Sequence, residues 1–152
     1  MASLSNAFCT ESQKVHGDHE TLVQELGELQ WALDNLVCYS EVFADLATAG
    51  KVRELGHHMK ALLPTHFVRE EATVLATVAR ISPELAAFAD EMKRQHKQLG
   101  AEFKTFLAAL AEFEGSSDLD TAVCHIKESG TQFAHDLSEH VALEERQLSG
   151  FL

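Results

Sequence analysis

Apolar residues recur at steps of three and four along four stretches of this chain, the period of one buried helical face. The first stretch follows Thr10-Glu11 and puts Val15, His19, Leu22, Leu26, Leu29, Leu33 and Leu36 on one stripe. The second, preceded by a turn through 40–48, begins after Gly50 and runs to about Arg80. Its inward positions are Met59, Leu63, His66, Glu70, Val74 and Val78. Pro64 lies inside it, lacks a backbone donor, and is expected to kink or restart the helix just before His66. The third opens on Ser82-Pro83-Glu84, a capping residue followed by proline at the first helical position. Its stripe is Leu85, Phe88, Met92, His96, Leu99, Phe103, Phe106, Leu110 and Phe113, closed by Gly115-Ser116-Ser117. The fourth runs from about Asp118 with Leu119, Val123, Ile126, Gly130, Phe133, Leu137, His140, Glu144 and Leu148 inward. No segment sustains the period-two alternation of a strand.

Four amphipathic helices with short connections predict an all-α fold, an antiparallel up-down-up-down four-helix bundle forming a single domain over residues 1–152. That topology brings His19, early in the first helix, level with His66 and Glu70, late in the second. It likewise sets His96 opposite His140 and Glu144, so the second helix pair repeats the grammar of the first: a histidine, then His-x-x-x-Glu.

Composition narrows the classes. The chain is 45% hydrophobic and 24% charged, with a formal charge of −12, which disfavours nucleic-acid phosphate and anionic membrane surfaces as partners. Cys9, Cys38 and Cys124 are odd in number and widely spaced, and read as reduced thiols rather than a disulfide or zinc framework. No signal-peptide pattern and no bilayer-length apolar run is found, so a cytoplasmic protein is expected.

The polar interruptions of the stripes carry the chemistry. A His-to-Glu step of four is not decisive alone, since His16/Glu20 and His135/Glu139 share it. Helical position separates them: His135 projects about two hundred degrees from Phe133 and from Leu137 and faces water, whereas His16 flanks the first stripe. His57, His58 and His125 fit surface roles or roles flanking the core. A lone inward histidine is ordinarily a hydrogen-bonded structural residue, and one buried His–Glu pair can be an ion pair. Six such residues from four helices fit those readings poorly, because a buried unpaired carboxylate costs several kcal/mol. His19, His66, Glu70, His96, His140 and Glu144 are therefore the candidate ligands of iron, manganese or zinc, and two carboxylates able to bridge imply two ions. Ferritin-like bundles need Glu-x-x-His on two helices, but only Glu54 to His57 has that form; the H-E-x-x-H step of a zincin is missing.

Taken together, Asp18-His19-Glu20, His66-Phe67-Val68-Arg69-Glu70-Glu71, Gln95-His96-Lys97-Gln98-Leu99 and Glu139-His140-Val141-Ala142-Leu143-Glu144-Glu145 resemble the hemerythrin-like, or HHE cation-binding, family over nearly the whole chain. The resemblance implies terminal imidazoles from His19, His66, His96 and His140. It also implies bridging carboxylates from Glu70 and Glu144, and a non-haem pair of iron ions with an oxo or hydroxo bridge. Glu71 and Glu145 match the second acid of the family's paired acids and are expected to point outward or to support the ligands. Oxygen-carrying hemerythrins have a further histidine where this chain has Gly100, and an aspartate where it has Glu145. Two six-coordinate ions offer about twelve positions; this donor set with one oxygen bridge fills about ten, leaving about two open. The set of four histidines and two glutamates is similar to the di-iron domain of repair-of-iron-centres proteins.

The expected function is binding of dioxygen, nitric oxide or peroxide, or the sensing and handling of iron. An enzyme turning over peroxide or nitric oxide is the first alternative. A metal-free interaction module, presenting the acidic surface and Trp31 to an unknown protein partner, is the second.

Overall fold

Ser82 and Asp118 fix where two of the helices begin. Each sits outside the helical conformation and accepts a backbone N–H three residues on, from Leu85 at 3.2 Å and from Thr121 at 3.1 Å. The computed structural model describes residues 2–36 and 46–152, and over these the chain forms four long helices: α1 (Ala2–Asn35), α2 (Leu46–Glu70), α4 (Pro83–Gly115) and α5 (Leu119–Leu148). A π-helical turn, Glu71–Leu75, and a single α-turn, α3 (Ala76–Val78), complete the run begun by α2. No strand occurs among the described residues, and no described helix is long and apolar enough to cross a membrane.

Side-chain pairings give the direction of each helix against its neighbours. Asp18 meets His66 and Glu28 meets Lys51, so α1 and α2 run oppositely. Gln95 with His140 and Glu112 with His125 do the same for α4 and α5. His19 with Glu145, and the Leu36 carbonyl with Lys127, oppose α1 and α5. Arg53 with Glu114, and Glu71 with His96, oppose the α2 run and α4. The antiparallel bundle expected from the stripes is the fold observed.

Three local expectations differ from the structure. Helix α1 begins at Ala2 rather than after Thr10, because Phe8 packs on the core and the Thr10 hydroxyl bonds back to the Asn6 carbonyl at 3.0 Å. Helix α2 begins at Leu46 rather than after Gly50; the remainder of the expected 40–48 turn, and Cys38, lie outside the described residues. Pro64 neither ends nor restarts its helix. It lies on the exposed side, while buried Leu63, His66 and Phe67 anchor the turn around it, so packing outweighs the lost backbone bond. The irregularity falls two turns later, in the π-helical turn, where the Arg69 carbonyl accepts the Thr73 hydroxyl at 2.6 Å.

The inward stripes are buried along most of their length, with Leu85, Phe88, Phe113 and Leu119 only partly covered, and the core is in two parts. Twenty-three buried residues, from Leu22 and Leu63 to Phe106 and Val141, make the larger cluster. Seven, Val15, Val74, Leu75, Val78, Ala89, Met92 and Leu148, make the smaller. A polar layer lies between them. Cys9 and Cys124 are exposed on α1 and α5.

Candidate metal centre

That layer is built by one or two residues from each long helix. His19 comes from α1, His66 and Glu70 from the last turn of α2, His96 from α4, and His140 and Glu144 from α5. All six are at most 4% exposed. Their stripes put them in the interior because each replaces an apolar residue at the helical period.

Every one of the four imidazoles is held by its Nδ1. His19 Nδ1 donates to Glu145 at 2.7 Å, His66 Nδ1 to Asp18 at 3.3 Å, His96 Nδ1 to Glu71 at 2.8 Å and His140 Nδ1 to the Gln95 carbonyl oxygen at 2.9 Å. These bonds turn each Nε2 toward the middle of the layer. All four Nε2 atoms, and all four carboxylate oxygens of Glu70 and Glu144, are buried without a hydrogen-bond partner. Nitrogen and oxygen approach one another at 3.2–3.8 Å there, without hydrogen-bond alignment. So many unsatisfied buried polar atoms in one place would cost several kcal/mol if nothing occupied their centre.

The donor atoms form two sets that share both carboxylates: His19, His66, Glu70 and Glu144, and Glu70, His96, His140 and Glu144. Within each set they lie within 4.8 Å of one another. Opposite donors of one nitrogen- and oxygen-liganded ion stand about 4.2 Å apart, so a small contraction suffices to seat a cation. The two halves match: His19 and His66 stand edge to face with ring centres 4.8 Å apart, and His96 and His140 repeat that distance and near-perpendicular geometry. Phe67 breaks the symmetry. Its ring stacks on His96 at 4.1 Å, while it lies tilted against His66 at 5.7 Å and edge-on to His140 at 6.1 Å.

Without an ion, the layer is loaded with protons. Burial pulls the His19 pKa down, but the close approach of Glu144 and the charges of Glu70 and Glu144 outweigh it, raising it to about 9. His96 is raised to about 10 in the same way, by Glu144, Glu70 and Glu71 against burial. His66, buried and beside His19, falls to about 4, and burial lifts Glu70 to about 7. Burial would also raise Glu144, but the close approach of His140, His19 and His96 holds it well below the ordinary carboxylate range. A cation must displace the protons on His19 and His96 and part of that on Glu70. Loading at pH 7 is thus expected to release about two to three protons per chain. Uptake should strengthen as pH rises toward 9–10, the range in which the two imidazoles surrender their protons unaided. Calorimetry of metal loading in buffers of different ionisation enthalpy measures the release; a value near zero would contradict this charge assignment.

The structure brings all six candidates together and leaves the other histidines outside. His135 and His57 are exposed, His58 pairs with Glu25 at 3.5 Å, and His125 with Glu112 at 3.0 Å. His16 is the intermediate case, half-exposed yet sharing Glu145 Oε1 with His19. Glu71 and Glu145 support imidazoles, the second of the two roles expected for them. Asp18, Gln95 and Phe67 have roles that the hydrophobic pattern did not show. The signal available was adjacency: Asp18 precedes His19 but serves His66, and Gln95 precedes His96 but serves His140. A Cβ added at Gly100 would meet nothing within 4 Å, so space at the backbone does not forbid a further imidazole there.

The model of the hemerythrin HHE cation-binding domain matches residues 10–152 of this chain. No curated protein and no solved structure gives a significant match.

Proposed function

The chain belongs to the hemerythrin HHE cation-binding domain family, and from that premise we propose that it is a di-iron protein of the cytoplasm that binds dioxygen, nitric oxide or peroxide, or senses or handles iron. His19 and His66 would hold one ion and His96 and His140 the other, with Glu70 and Glu144 available to both. The observation that carries this reading is the set of eight buried, partnerless donor atoms from six residues, divided into two groups with both carboxylates in common. Bound iron would supply redox chemistry and positions open to a small exogenous ligand. Four histidines and two glutamates, with Gly100 one turn beyond His96, leave more of those positions open than a five-histidine set would. That donor set also supports the finer likeness to the repair-of-iron-centres domain. The chain's own part is to fix the Nε2 atoms, keep Glu144 ionised, and exclude bulk water by burying all six side chains.

Close to two metal ions per chain, predominantly iron when iron is supplied, are expected by elemental analysis of the purified protein. Absence of bound transition metal after anaerobic reconstitution with ferrous iron would overturn the reading in favour of a metal-free interaction module.

A further inference from the structure

The four bonds that hold the imidazoles form a closed ring around the bundle. Asp18 on α1 holds His66 of α2; Glu71, next after α2, holds His96 of α4; Gln95 on α4 holds His140 of α5; Glu145 on α5 holds His19 of α1. Each brace is the chain neighbour of one candidate ligand and the partner of another. Three of the braces are carboxylates. The fourth is an amide.

That exception is built into its surroundings. Gln95 is half-buried beside a cleft of about 290 Å³ that reaches His140 and is also lined by Arg94, Gln98 and Glu139. Its Nε2 donates to Glu91 at 2.8 Å, and Glu91 is gripped by Arg94 at 2.6 and 2.8 Å. Because the amide nitrogen is committed to Glu91, the amide oxygen must face His140, and an acceptor there obliges Nδ1 of His140 to donate. The chain Arg94–Glu91–Gln95 thus fixes which nitrogen His140 offers to the centre. An amide oxygen is also a weaker acceptor than a carboxylate, by about half for a bond of this type. His140 therefore receives less electron density through its Nδ1–H than His96 receives from Glu71, and makes the weaker metal bond.

We propose that Gln95 is a positioning residue that makes the two metal positions unequal, leaving the ion held by His96 and His140 the more weakly bound. The proposal rests on the two-ion reading above and adds a ranking to it. The other position has carboxylates behind both its imidazoles, although Arg69 shares Asp18 with His66 and His16 shares Glu145 with His19. The weaker position is the one beside the cleft, so it is the first to lose or exchange its ion.

The test is an anaerobic titration of the metal-free chain with ferrous iron against a competing chelator, following stoichiometry and the affinity of each step. The wild type is expected to take two ions in two resolved steps. Gln95→Leu, which keeps the bulk but removes the acceptor, should weaken the second step about 10- to 100-fold and leave the first within about twofold. Gln95→Glu, which supplies the missing carboxylate, should shift the second step in the opposite direction and narrow the gap. A purely structural role would make both variants weaken binding, so weaker binding in Gln95→Glu overturns the proposal. Two equal steps in the wild type, or equal shifts of both steps in Gln95→Leu, overturn it as well. Asp18→Asn serves as the converse, and should weaken the first step. A wild-type chain that takes one ion or none refutes the two-ion reading itself, and the ranking with it; that result is distinct because it appears before any variant is compared.

Discussion

Glu144→Ala is expected to strip the protein of its metal, lowering affinity by well over a hundredfold, whereas His135→Ala retains the wild-type complement. Glu144 is fully buried, belongs to both donor sets, and approaches His140, His19 and His96 at 3.2, 3.3 and 3.6 Å. Its removal deletes a donor from each of the two sets at once. It also takes away the main negative charge that holds protons on His19 and His96 when no ion is bound. Glu70→Ala acts on both sets in the same way. His135 shares the His-x-x-x-Glu spacing but is exposed, so its loss reaches neither ion. Metal analysis of the purified variants decides the matter: comparable loss in His135→Ala and Glu144→Ala would mean that the buried layer is not where the metal binds.

Stripping the metal should cost much of the fold's stability. An ion that binds only the folded chain adds about 4 kcal/mol when its free concentration is a thousand times its dissociation constant, so two such sites add about 8 kcal/mol. For a chain of this size each kcal/mol moves the melting temperature by roughly 2–4 °C, giving an expected gap of about 15–30 °C between loaded and chelator-treated protein. The size of the gap reflects what the metal-free layer must tolerate: two carboxylates with no hydrogen-bond partner on any oxygen. Differential scanning calorimetry on both forms measures it, and coincident transitions would show that the layer is satisfied without a cation.

The long-range part of this architecture was legible because it is written in a repeating pattern. From Val15 to Leu36 each inward position of α1 is buried, and from His96 to Leu110 the same holds on α4. Ser82-Pro83 and Asp118 announced two helix starts through the chemistry of capping. What was not legible depends on contacts between helices. Pro64 has the local credentials of a break, yet the packing of Leu63, His66 and Phe67 carries the helix through it. The π-helical turn after Glu70 leaves no periodic trace in five residues. Phe67 sits one position from a stripe residue, and only the assembled bundle shows that its ring lies on His96. Asp18 and Gln95 read as ordinary polar neighbours until the opposing helix brings an imidazole to each.

The division of the core into two clusters has a consequence for how the molecule opens. Seven buried apolar residues at one end cannot offer the cohesion of twenty-three at the other, and the polar layer gives them no hydrophobic continuity across it. In the metal-free chain the small end is therefore a separate, weak cooperative unit, able to fray while the rest stays closed. Ions bridging four helices in that layer would join the two units into one. The same ions would then be harder to release until that end loosens, with the position beside the cleft still the first to give up its ion.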